Sequence, residues 1–193
     1  VPAMVEVASG KLVTNDFAQI TLDLSTEWPA HHRPGAPDLY PEAMREEMDE
    51  LMEAIYLEVN NGVYRAGFAR SQAAYQEAYS TLFNRLDWLS QRLENQRFLM
   101  GDTITEADVR LWPTLARFDA VYHGHFKCNR ARIIDYPNLW AYTREIYQMP
   151  GVAETVNLVH IRNHYYASHD TVNPTRIVAI GPQPDYMEPH GRG

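Results

Sequence analysis

A chain of 193 residues that is 45% hydrophobic and 22% charged carries enough apolar material to bury a substantial core, which argues against disorder. Its formal charge of −8 leaves no basic face for a polyphosphate backbone and excludes nucleic acid as a partner. Cys128 is the single cysteine, no apolar run approaches the roughly 20 residues that span a bilayer, and no signal-peptide pattern opens the chain, so a soluble cytoplasmic protein with no membrane partner is expected.

In chain order, Ala3 to Val7 and Leu12 to Thr14 are short β-favouring runs around the turn signal Ser9-Gly10. A two-stranded hairpin is marginal alone, so further strands are expected beside it. Asn15 then offers an N-cap to a helix with Phe17, Ile20 and Leu24 at helical spacing. Pro29 to Asp38, with three prolines and Gly35, reads as a linker.

The remainder is helical almost throughout. Pro41 sits at a first-helical position, and Met44, Met48, Leu51, Ile55 and Val59 line one face while the surrounding acidic residues solvate the other. Asn60-Asn61-Gly62 breaks or distorts that helix, and a second runs from about Ser71 to Glu94. Thr105 and Asp108 form a capping box with Asp in place of the usual Glu, and Ile104 and Val109 supply a hydrophobic staple. The helix that follows meets Pro113, where a kink is expected. Another helix starts at Pro137 and ends near Met149-Pro150-Gly151, a short one follows from Val152, and one more lies around His160 to Tyr166. The Pro- and Gly-rich stretch from His169 is too apolar at Ile177 to Ile180 for a solvated tail and is expected to wrap over the helical body.

This order of elements, with the motifs Asn60 to Ala69, Arg117 to Tyr122, Gly124 to Asn129, Asp135 to Trp140, His164-Tyr165-Tyr166 and Asn173-Pro174-Thr175, resembles the xi-class glutathione transferases, or glutathionyl-hydroquinone reductases. The resemblance covers essentially the whole chain. It implies a mainly α fold, a glutathione-transferase C-terminal helical bundle preceded by the last β-hairpin and helix of a thioredoxin-like domain. The organisation implied is a thioredoxin-like remnant over 1–28, a linker over 29–40, an all-α domain over 41–166 and a C-terminal extension over 167–193. The family's catalytic Cys-Pro segment is expected upstream of this chain, which reads as truncated or processed.

The resemblance also implies a site. Val1-Pro2 matches the family's cis-proline pair, whose backbone pairs with a thiol cofactor, and Asp16 and Phe17 stand where the family has a Glu-Ser pair that holds a γ-glutamyl group at a helix N-terminus. The co-substrate implied is glutathione or another low-molecular-weight thiol; the change at Asp16 and Phe17 raises mycothiol as a candidate. The activity implied is thiol-dependent removal of the thiol from quinol thioethers by a low-pKa cysteine, in a homodimer, with a small aromatic or quinol substrate. A non-catalytic helical module for assembly or ligand binding is the alternative. Phenolic substrates need hydrogen-bonding groups in an apolar pocket, and the family uses tyrosines of the helical domain for them. Tyr64 is the first candidate, then Tyr165 or Tyr166, then Tyr40. Cys128 is read as a structural, buried thiol. His160/His164 and His123/His125 lack the companion ligands of a metal site, so no metal is expected. Arg65, Arg117 and Asp119 are read as helix-surface or interdomain pairing, with a buried polar network near the pocket as the alternative.

Overall fold

The structure, a computed structural model, describes residues 2–192. It opens with two antiparallel strands, β1 (Met4–Glu6) and β2 (Lys11–Thr14), which pair Val5 with Leu12 and Glu6 with Lys11. Gly10 turns the chain between them at φ +67, a conformation open to glycine without a Cβ penalty. Helix α1 (Phe17–Thr26) follows. Its N-cap is Asp16, not Asn15: the Asp16 carboxylate accepts from Ala18 N at 3.1 Å and Gln19 N at 3.3 Å. Both residue types cap well, and Asp16 stands one residue nearer the first turn. No residue of α1 is buried among the described residues; it is held to the bundle by Arg110, which donates to Ala18 O at 2.6 Å and Thr21 Oγ1 at 2.9 Å, by Leu22 against the core and by Phe17 against Tyr56.

After the connecting segment, Pro41 caps a 3₁₀ turn (Glu42–Met44) and does not start an α-helix; helix α2 begins only at Arg45 and ends at Ile55. The extended backbone of Pro41, ψ 133, is the reason, and Met44 at 36% exposure falls off the expected buried face. Met48, Leu51, Ile55 and Val59 are buried. The predicted distortion at Asn60-Asn61-Gly62 is a π-turn (Tyr56–Asn60), closed by Asn61 N to Tyr56 O at 2.8 Å, after which α3 (Gly62–Gly67) continues.

Helix α4 (Gln72–Arg92) is capped by Ser71, whose hydroxyl accepts from Ala74 N. Helix α5 (Glu106–Arg117) starts on the Thr105/Asp108 capping box, runs through Pro113 and passes into a second π-turn (Phe118–Tyr122). Asp108 does more than close the box. Its carboxylate accepts from Thr105 N at 2.8 Å, Thr105 Oγ1 at 3.0 Å, Leu99 N at 2.9 Å and Tyr142 Oη at 2.8 Å, all in the core. Burial lifts this carboxyl above the ordinary range, and those donors pull it back only in part. Val109, expected in a staple, is 40% exposed.

A short turn α6 (His123–His125), a 3₁₀ turn (Ile133–Asp135), α7 (Pro137–Tyr147) and α8 (Leu158–Ser168) complete the helices. The short helix expected from Val152 is a 3₁₀ turn (Ala153–Thr155). Fully buried Phe83, Phe118, Phe126, Tyr142 and the leucines of α4 and α5 fill one core between α2, α4, α5 and α7.

Beyond α8 the chain has no regular element among the described residues, yet it is anchored. Tyr186, 5% exposed, donates to Ala116 O at 2.7 Å and stacks on Tyr147 at 4.8 Å. Arg144 pairs with Glu188, and Arg192 reaches the buried Glu145 at 2.8 Å. Ile177 and Ile180 are exposed, so the segment is held by Tyr186 and its ion pairs and not by its apolar run.

Candidate aromatic site

Three tyrosines from three separate elements meet at their hydroxyls. Tyr64 from α3 and Tyr165 from α8 share a short hydrogen bond, Tyr122 from the second π-turn bonds Tyr165 at 2.8 Å, and Tyr64 and Tyr122 stand 3.5 Å apart. The rings of Tyr122 and Tyr165 meet edge to face at 5.3 Å, and Phe126 lies against all three. A glycine makes this cage possible: a Cβ at Gly67 would fall 2.2 Å from the Phe126 ring, so no other residue lets α3 come this close.

Burial, followed by the neighbouring Tyr165 and Tyr64, pushes the Tyr122 phenol far above its ordinary value, and burial raises Tyr165 as well. Both therefore stay protonated at neutral pH and keep a proton to donate. Tyr122 was not singled out by sequence. It ends the Arg117 to Tyr122 motif, but it sits in a π-turn, where helical spacing no longer tells which way a side chain faces.

The other candidates fall elsewhere. Tyr166 is adjacent to Tyr165 on α8 and so points about 100° away around the helix; its hydroxyl faces Gly124 and its ring lies 4.8 Å from His125. Tyr40 donates to Asp49 at 2.7 Å beneath the Arg45 guanidinium. It lines a separate cleft of about 770 Å³ between α1, the connecting segment and the start of α5, with Trp28, Leu24 and Val109. Asp16 spends its carboxylate capping α1, and Phe17 lies 5.5 Å from Tyr56, the first residue of the π-turn that leads into α3. Pro2 is exposed, and Val1 lies outside the described residues.

Cys128 is fully buried, and burial pushes its thiol up to about 12, so it offers no thiolate at neutral pH. Among the described residues no three His, Cys, Asp or Glu side chains converge as a metal site would need. His125 instead meets His169, with Nε2 and Nδ1 at 3.1 Å. Arg65 pairs with Glu77 on the surface, Arg117 donates to Pro113 O, and Asp119 accepts from Ile133 N at 2.6 Å and Ile134 N at 3.3 Å; the three form no common network.

The comparisons with known proteins agree with this architecture. Residues 72–145 match the family model of the glutathione S-transferase C-terminal domain. The chain is 52% identical over 192 residues to the glutathionyl-hydroquinone reductase YqjG of Escherichia coli, covering 100% of this chain and 58% of that protein. The glutathione-bound structure of YqjG superposes with a TM-score of 0.96, over 100% of this chain and 62% of that one. Identity to the reductase PcpF of Sphingobium chlorophenolicum is 46% over 183 residues, 94% of this chain and 58% of PcpF. A glutathione transferase from Gordonia bronchialis superposes with a TM-score of 0.96 at 60% identity, over 100% of this chain and 60% of that one. The chain thus spans about three fifths of the length of the proteins it resembles. Its mainly α fold, with a small two-stranded sheet ahead of the bundle, matches the glutathione transferase fold with its C-terminal helical domain.

Proposed function

Because this chain belongs to the xi-class glutathione transferases, the family of the glutathionyl-hydroquinone reductases, we propose that it forms the aromatic-substrate part of a thiol-dependent reductase. The reaction is the reductive removal of glutathione from glutathionyl-(hydro)quinones or related aromatic thioethers. The observation that carries this reading is the meeting of Tyr64, Tyr122 and Tyr165 hydroxyls in an aromatic cage.

The catalytic cysteine belongs to the part of the enzyme that this chain does not span. Its thiolate attacks the glutathionyl sulfur; a sulfur–sulfur bond forms, the carbon–sulfur bond breaks, and its electron pair goes to the ring carbon, which takes up a proton. A second thiol then attacks the mixed disulfide, frees the cysteine and leaves as an oxidised disulfide. Tyr64 and Tyr165 hold the quinol oxygens by hydrogen bonds, and Tyr122 holds Tyr165 in place from behind. Tyr166 and Tyr40 are assigned no contact with the substrate, on the positions described above.

Val1, Pro2, Asp16 and Phe17 are assigned to the thiol-binding edge, which the Phe17–Tyr56 contact joins to the stretch carrying Tyr64. Glutathione is the co-substrate supported by the thiol bound to YqjG. One observation favours a second thiol, such as mycothiol: the Asp16 carboxylate occupies the α1 N-terminal donors at which a γ-glutamyl carboxylate would bind. Binding isotherms with both thiols decide between them. The division into a thioredoxin-like part over 1–28, a linker over 29–40, a helical domain over 41–166 and an extension over 167–193 belongs to the same proposal, as do a cytoplasmic location and a homodimer. No described helix is long and apolar enough to cross a membrane.

The test is turnover of a glutathionyl-hydroquinone by the full-length enzyme. Tyr64→Phe and Tyr165→Phe each lower kcat/KM by about 10- to 100-fold, the worth of one hydrogen bond to a developing charge. Turnover unchanged in both variants refutes the phenol site, and a full-length wild type with no turnover at all favours the non-catalytic module.

A further inference from the structure

Each of two cluster tyrosines is delivered by a π-turn. Tyr64 follows the turn Tyr56–Asn60 by one helical turn, and Tyr122 ends the turn Phe118–Tyr122. The bonds Asn61 N to Tyr56 O and His123 N to Phe118 O close them five residues apart instead of four. One extra residue in a helix rotates everything downstream by about 100° about the axis. Without it in either place, the downstream side chains would face elsewhere and the hydroxyls would not meet.

One side chain ties the first turn to α5, the helix that runs on directly into the second turn. The Asn60 amide nitrogen donates to Arg110 O at 3.0 Å, and its oxygen accepts from the Thr114 hydroxyl at 2.8 Å. Thr114 is 7% exposed, and four residues further along the same helix the second π-turn begins. Pro113 stands between the two contacts and has no N–H to give to the carbonyl of Val109, four residues back. Both ends of the amide are used. Aspartate would lose the donor to Arg110 O, and alanine would lose both contacts.

We propose that Asn60, acting with Thr114, is a positioning residue that locks the two π-turns in mutual register and so assembles the Tyr64–Tyr122–Tyr165 cluster. Its relevance to turnover rests on the reading of that cluster as the phenol site. Asn60 itself touches no substrate; it acts through the tyrosines.

The experiment compares Asn60→Ala, Thr114→Val and Thr114→Ser in the full-length enzyme, with two readouts on each. The first is alkaline titration of the tyrosines followed by ultraviolet difference absorption; burial raises Tyr142 and Tyr186 as well, so the cluster's share is taken as the part lost in a Tyr122→Phe variant, whether or not the cluster binds a quinol. The second is steady-state turnover of a glutathionyl-hydroquinone. Asn60→Ala and Thr114→Val are expected to move the titration of the cluster phenols to lower pH. They lower kcat about tenfold and leave the KM for the thiol unchanged. Thr114→Ser keeps the hydroxyl and behaves as wild type in both. If a folded Thr114→Val variant, nearly the same shape as threonine, titrates as wild type, the positioning proposal is overturned, whatever turnover does. If titration shifts but turnover does not, positioning stands and the phenol-site reading falls.

Discussion

Replacing Asp108 with alanine tests how much of the helical body hangs on one carboxylate. That group accepts four hydrogen bonds, from Leu99 N, Thr105 N, the Thr105 hydroxyl and the Tyr142 hydroxyl, at 2.8 to 3.0 Å. Asp108, Thr105, Leu99 and Tyr142 are all at 0% exposure, so water cannot take its place without a rearrangement. A buried donor left without a partner costs about 1–3 kcal/mol. Two backbone N–H groups and the Tyr142 hydroxyl are stranded even if Thr105 turns away, which sums to roughly 3–6 kcal/mol after partial relaxation. Domains of this size have about 5–15 kcal/mol in all. Tyr142→Phe is the control, because it deletes a donor together with its need for a partner and costs only about 1 kcal/mol. Urea unfolding followed by tryptophan fluorescence measures both. An Asp108→Ala cost no larger than that of Tyr142→Phe would refute the reasoning.

Two further outcomes follow from the same geometry. Tyr186→Phe removes the donor from Ala116 O and loosens the C-terminal segment; a loss of about 1–2 kcal/mol and faster proteolysis beyond residue 168 are expected, and proteolysis at the wild-type rate would contradict it. Burial, then His169 and Lys127, hold the His125 imidazole down to about 4, whereas the unfolded chain takes up that proton near the ordinary 6.5. The unfolded state thus binds more protons between these values, so stability is complete above pH 6.5 and is lost as pH falls towards 4. His169, lowered by burial and by His164, adds to the loss in the same direction. Unfolding midpoints at pH 7 and pH 4.5 show the drop in wild type and a smaller one in His125→Gln.

Much of this fold is legible in the sequence. Hydrophobic spacing placed the helices because each buries one stripe, and Ser71, Pro137 and the Thr105/Asp108 box marked where three of them begin. Local signals failed where two residues compete for one role, as Asn15 and Asp16 did, or where proline permits either a cap or a first turn, as at Pro41. Two of the three cluster tyrosines, Tyr64 and Tyr165, are legible through the family motifs. Tyr122 is not, since a π-turn shifts the register that spacing arguments assume. That Tyr165 and not Tyr166 joins the cluster depends on the rotation of α8 against the second π-turn and α6, a tertiary fact with no local signature. The four partners of Asp108 were only half visible for the same reason: Tyr142 lies 34 residues away.

The central claim is that the aromatic substrate sits on the phenol cluster, and a crystal structure of the full-length enzyme with a hydroquinone product bound tests it most directly. The account predicts a quinol oxygen within hydrogen-bonding distance of the Tyr64 or Tyr165 hydroxyl. A quinol ring seated instead in the cleft beside Tyr40 and Trp28, with the cluster empty, would contradict it.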